Sequence, residues 1–187
     1  MSEELMVREA SPTLAGIKTG SLFTCPCEDK QELLEEIRGF NKRFSVKGLC
    51  MIPLRYDRSR VLLYLYRPAG LSKDLKNDLA RQVLEQEGYP WSGAVSTGKC
   101  VARLMKRIRS NQDFPHEIGL FLSYPPEDVK GFIDNQAGNY KCSGIWKVYG
   151  DVDKAQDMFS RFRKCTDIYC KLWKEGSSMD HLAVAVS

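Results

Sequence analysis

The residues able to do chemistry in this 187-residue chain are few and concentrated. Phe114-Pro-His-Glu-Ile-Gly-Leu-Phe-Leu-Ser-Tyr-Pro sets His116 and Glu117 at the entry of a short apolar run and Tyr124 at its exit. Asn139-Tyr-Lys-Cys-Ser-Gly-Ile-Trp-Lys-Val-Tyr does the same for Lys141, Cys142, Trp146, Lys147 and Tyr149. Read as strands, both runs put polar and aromatic side chains at strand ends, where loops hold ligand groups over a rigid sheet. Lys141 and Lys147 would favour the thiolate of Cys142, and His116 would serve as its base if the two strands are neighbours. Cys142 and His116 are therefore the candidate catalytic pair. Glu117, Tyr124, Lys141, Trp146, Lys147 and Tyr149 are the candidate ligand-binding residues. The plainer alternative makes Cys142 a small buried residue and His116 a turn cap.

Other strings promise chemistry and fall short of it. Gly93-Ala-Val-Ser-Thr-Gly-Lys-Cys100 has the glycines and lysine of a phosphate loop. It lacks the feeding strand, and Cys100 stands where a magnesium-binding hydroxyl is needed. A glycine-rich turn before the next helix is the expected role. His116-Glu117 opens like a zinc-protease helix, but Leu120 occupies the place of the second histidine. His181 is the only other histidine, so a multi-histidine metal site is excluded by count. Cys25-Pro-Cys27 is the one close cysteine pair, a weak metal candidate without the second pair that structural zinc requires. Lys99, Arg103, Lys106, Arg107 and Arg109 make a basic helix with no acid in it. No aromatic stacking face accompanies them, which argues against nucleic acid as a partner.

These groups need a scaffold, and the composition supplies an ordinary globular one. Hydrophobic residues are 43% and charged residues 28% of the chain, with a net charge of +4 that selects no partner class. The apolar runs at 62–66 and 182–186 are far shorter than a membrane span needs. The acidic start MSEELMVREA is unlike a secretory signal, so a cytoplasmic location and no membrane partner are expected. Seven cysteines, an odd number, then read as free thiols.

The periodicities predict one domain over 1–187, with 1–10 a poorly ordered or peripheral lead-in. A strand lies near 21–24 and an amphipathic helix over 30–44, with Leu33, Leu34, Ile37, Phe40 and Phe44 on its apolar face. Runs 48–56 and 60–67 form an antiparallel hairpin near 48–67, and Pro53 marks an edge or a bulge. Ser72 caps a helix carrying Leu75, Leu79 and Val83, which Gly88 and Pro90 end. Further helices are expected over 97–110, from Pro126 to about 135, and over 152–174. Strands are expected at 118–123, 144–149 and 182–186. The fold class is α/β or α+β, a mixed β-sheet packed by helices.

The strings FPHEIGLFLSYPPEDVKGFI and YKCSGIWKVYGD resemble the signature stretches of a bacterial family, domain of unknown function 3793. SPTLAGIKTGSLF and the LYLYRP strand end fit its pattern, so the resemblance spans nearly the whole chain. Pro115, His116, Glu117, Gly119, Tyr124, Pro125, Cys142, Gly144, Trp146, Lys147 and Tyr149 match its typical residues. The family name implies no activity, substrate or cofactor. A histidine ahead of a Cys-Ser-Gly string is also similar to circularly permuted papain-like hydrolases, but those set the cysteine at a helix N-terminus and here a strand is expected. The leading expectation is a non-catalytic binding or accessory protein that holds a small anionic ligand or a protein partner at 114–150. The alternative is a cysteine-dependent hydrolase or transferase with Cys142 as nucleophile and His116 as base.

Overall fold

The structure, a computed structural model, describes residues 2–90, 96–110 and 114–186. Its chain divides into two compact units, Met1–Ala69 with Phe162–Ser187, and Gly70–Arg161.

In the first unit, α1 (Glu3–Leu14) starts where the Ser2 hydroxyl accepts the Leu5 amide, with Glu3 and Glu4 in the first turn. Acids are favoured there by the helix dipole. Met6, Val7, Ala10 and Leu14 are buried. Residues 3–10 thus belong to a core helix and not to the peripheral lead-in expected; the acids that made them look solvated mark a helix start. β1 (Gly20–Pro26) and α2 (Lys30–Phe44) follow, the latter capped by Asp29, whose carboxylate accepts the Gln31 and Glu32 amides. After a 3-10 turn at Ser45–Lys47 come β2 (Cys50–Asp57) and β3 (Arg60–Tyr66). The sheet order is β1-β3-β2, antiparallel throughout. β2 is an edge, and its register shifts between Pro53 and Arg55, the disruption that a proline without an N–H invites. Asn41 of α2 covers part of that edge: its side chain donates to the Met51 carbonyl at 2.9 Å and accepts the Met51 amide at 2.7 Å.

Leu33, Ile37, Phe44, Val61 and Leu65 lie in the core of this unit, joined by Met179 and Leu182 from α9 (Met179–Leu182) near the chain end. The strand expected over 182–186 is absent. Leu182 ends a helix, and beyond it Val184 donates one backbone bond to Leu14. Arg67, 4% exposed, ties this region together. Its guanidinium donates to the carbonyls of Thr13, Leu14, Lys47 and Val184 at 2.7–2.9 Å.

The second unit carries the remaining elements. α3 (Pro68–Asp74) leads into it, and α4 (Asp78–Gln86) begins at Asn77, whose side chain accepts the Leu79 and Ala80 amides. One helix from Ser72 was expected; Asn77 is a strong cap and divides it in two. α5 (Thr97–Ser110), α6 (Ile118–Phe121) and α7 (Pro126–Asp134) follow, then β4 (Cys142–Ser143) and β5 (Lys147–Val148). α8 (Val152–Lys174) runs out of this unit and into the first. The apolar run 118–123 is a helical turn and not a strand. It folds back through Ser123 at φ +60°, and the Tyr124 amide donates to Gly119. The strand expected over 144–149 shrinks to β5, paired with β4 antiparallel through Cys142–Val148 and Ser143–Lys147. Both sheets are small and antiparallel, so the architecture is α+β rather than one mixed sheet. The hairpin near 48–67 and the long helix at 152–174 stand where the sequence places them. Among the described residues no helix is long and apolar enough to cross a membrane.

Candidate functional site

The second unit contains a cavity of about 340 Å³ whose walls come from the entry to α6, from α7 and from the β4–β5 turn. α7 is the organising element. Pro126 occupies its first turn, where a missing N–H costs nothing, and Asp128 sits one turn into the positive end of the helix dipole. Asp128 is 2% exposed. One carboxylate oxygen accepts the Trp146 indole N–H at 2.7 Å and the other accepts the Tyr149 and Gly150 amides, both at 2.7 Å. A buried carboxylate needs such donors, and here they fix the β4–β5 segment against the helix.

Trp146, held by that bond, stacks on Tyr124 with centroids 4.6 Å apart and meets Phe159 edge-on at 4.4 Å. Burial pushes the Tyr124 phenol up, so it stays neutral. The close packing demands bare backbone at two places. A Cβ on Gly144 would lie 2.3 Å from the Phe159 ring, and one on Gly119 would lie 2.7 Å from Val129.

Phe132 carries the polar side of the cavity. The His116 ring lies 4.9 Å from it, and the Lys147 ammonium 5.8 Å from its centroid. Lys147 donates one bond to the Ala137 carbonyl at 2.8 Å and lies 4.7 Å from the Tyr140 ring. Among the described residues its other two hydrogens have no hydrogen-bond acceptor, and no carboxylate pairs with it. Ala137 belongs to a turn in which Gln136, Ala137 and Asn139 all have positive φ, between 48° and 64°. Backbone held this way is costly, and the side-chain bonds from Lys147 and from Tyr149 to Gly138 hold it. His116 is exposed at the cavity, and no group among the described residues bonds its ring.

The sequence-expected residues therefore separate. His116, Tyr124, Trp146 and Lys147 line one cavity. Glu117 does not: at 1% exposure it accepts the Tyr89 hydroxyl at 2.9 Å and lies 2.6 Å from Arg107 Nε, in ion-pair contact rather than an aligned hydrogen bond. Tyr89 is driven up by burial and by that carboxylate, so its hydroxyl remains a donor. Lys141 donates to the Gly150 carbonyl at 2.6 Å, and Tyr149 to Gly138 at 2.9 Å; both brace the turns. Cys142 is half-buried on β4 and is not among the lining residues. His116 precedes a helical turn, so the two neighbouring strand ends that were to unite it with Cys142 do not exist. Cys25 and Cys27 are buried in the first unit, where burial pushes the Cys25 thiol up and away from the thiolate a metal needs. The Gly93–Cys100 string lies partly outside the described residues; Lys99 and Cys100 stand in the first turn of α5.

Asp128 and Phe132 are the residues the sequence did not point to. The acid after Pro125-Pro126 signals a helix start and nothing more, because its partners lie in another element.

A family model described as protein of unknown function, DUF3793, matches residues 6–183. The chain belongs to this family. The match covers the whole of the cavity-forming segment, so the site just described lies within the part shared with the DUF3793 family. No curated protein and no solved structure matches the chain.

Proposed function

We propose that this DUF3793 chain is a non-catalytic binding or accessory protein that holds a small anionic ligand in the Phe132 cavity. One observation carries the reading: the Lys147 ammonium and the His116 ring both lie against the Phe132 ring in a cavity of metabolite size, and among the described residues no carboxylate pairs with either. Ligand sites are mostly apolar with a few convergent polar groups, and this cavity has that make-up. The cysteine-dependent hydrolase or transferase has less support, since a nucleophile must reach its base and Cys142 stands outside the lining. A cytoplasmic setting with reduced thiols belongs to the same reading.

Thermal unfolding in the presence of a panel of small aromatic and aliphatic anions tests the proposal. Saturable stabilisation is expected for some of them, retained in Cys142→Ala and lost in Lys147→Met. Stabilisation by none, or turnover of a thioester or ester abolished by Cys142→Ala, would overturn it.

A further inference from the structure

Resting on that reading, we infer that the ligand is a monocarboxylate with a flat apolar body, an aromatic acid rather than a phosphate or phosphonate. The charge available to it is small. Among the described lining residues Lys147 is the one permanently cationic side chain, and one of its three hydrogens is committed to Ala137. Two donors from a single ammonium, with the His116 ring beside them, suit the two oxygens of one carboxylate. Sites that bind doubly charged phosphates instead gather arginines, a metal or a set of backbone amides.

Asp128 strengthens the discrimination. Its buried carboxylate lines the same cavity, and although its three hydrogen bonds satisfy it, its negative charge remains. A second negative charge on the ligand would meet that field in a poorly screened space. A single charge next to Lys147 is tolerated, because among the described residues Lys147 meets a neutral carbonyl and two rings and no carboxylate.

The body of the ligand is set by the remaining walls. Phe132, Tyr124 and Trp146 present rings, Val129 and Ile145 present aliphatic groups, and Gly119 and Gly144 present bare backbone. Aromatic surfaces of this kind favour stacked or edge-on flat partners. Phe114 and Ile145, 39% and 37% exposed, place apolar surface at the mouth. A compact, highly hydrated anion would gain nothing from any of these.

Calorimetric titration of the full chain with three matched compounds tests the inference: phenylacetate, its neutral amide 2-phenylacetamide, and benzylphosphonate at a pH where the phosphonate is doubly charged. Phenylacetate should bind about tenfold or more tighter than either, the difference expected of one charge-assisted contact. Lys147→Met should lower phenylacetate to the affinity of the amide while leaving the amide unchanged. Because Lys147 also braces the turn at Ala137, His116→Gln serves as a second variant and should weaken the acid selectively. Tighter binding of benzylphosphonate would overturn the ligand class but leave an anion-binding site standing. Equal binding of acid and amide would overturn the anchoring by Lys147, and binding of none of the three would overturn the inference. The anion panel then decides separately whether the site binds anions at all.

Discussion

Asp128 is where the site and the stability of the second unit meet. Its carboxylate holds an indole and two amides from the β4–β5 segment, and loss of the acceptor leaves one buried and two half-buried donors unpaired. Asp128→Asn should therefore cost about 3 kcal/mol, since an amide sets its own N–H against at least one of those donors. Urea unfolding followed by circular dichroism measures it, and a loss below about 0.5 kcal/mol, the scale of a surface change, would show the network to be incidental. Gly144 makes a separate demand. With 2.3 Å between its virtual Cβ and the Phe159 ring, Gly144→Ala should destabilise by about 1–3 kcal/mol through overpacking. Phe159→Leu in the same chain should recover part of that loss, an outcome that backbone strain at Gly144 would not produce.

At the scale of elements, long amphipathic helices are legible in sequence and short apolar runs are not. Helices at 30–44, 97–110 and 152–174 declare themselves because their apolar residues recur at helical spacing over several turns. Ile118-Gly-Leu-Phe-Leu and Leu182-Ala-Val-Ala-Val have no period to read, and both fold otherwise than as strands. Gly-Ile-Trp-Lys-Val-Tyr does alternate, yet only two residues join a ladder, because Trp146 and the Tyr149 amide bond Asp128 instead. The candidate site follows the same rule. His116, Tyr124, Trp146 and Lys147 stand out by residue type, whereas Asp128 and Phe132 matter only through contacts the fold creates. Asn41 shows how such a contact stabilises an element: its two bonds to Met51 satisfy the backbone of an edge strand at a fully buried residue. Asn41→Ala should cost about 2 kcal/mol, and hydrogen exchange at the Met51 amide should quicken more than at Leu63 on the central strand. Unchanged protection at Met51 would mean that the edge needs no such cover.

For the whole molecule, the titrating groups predict a stability limit on the alkaline side. Burial pushes the thiols of Cys25 and Cys100 up from their ordinary value of 9.0, and that of Cys165 up to about 11. The phenols of Tyr66, Tyr89, Tyr124 and Tyr169 move up from 10.0 for the same cause. Each folded-state value lies above the unfolded one, so the native chain holds more protons and the associated stability is complete below about pH 9. It is lost as pH rises through the folded values. Lys18 acts in the opposite sense: burial lowers its ammonium to about 8, so its share of stability increases between there and 10.5. These raised thiols and phenols outweigh Lys18, so stability should fall above about pH 9, read as a declining urea midpoint. A midpoint constant to pH 11 would show that these groups are not buried as described. Binding at the Phe132 cavity is read out residue by residue in a nuclear magnetic resonance titration of the full chain with phenylacetate. Saturable shifts are expected, centred on the amides of His116, Gly119 and Lys147 and on the Trp146 indole N–H, with the amides of β1–β3 unmoved. Shifts centred elsewhere, or none at saturating ligand, would contradict it.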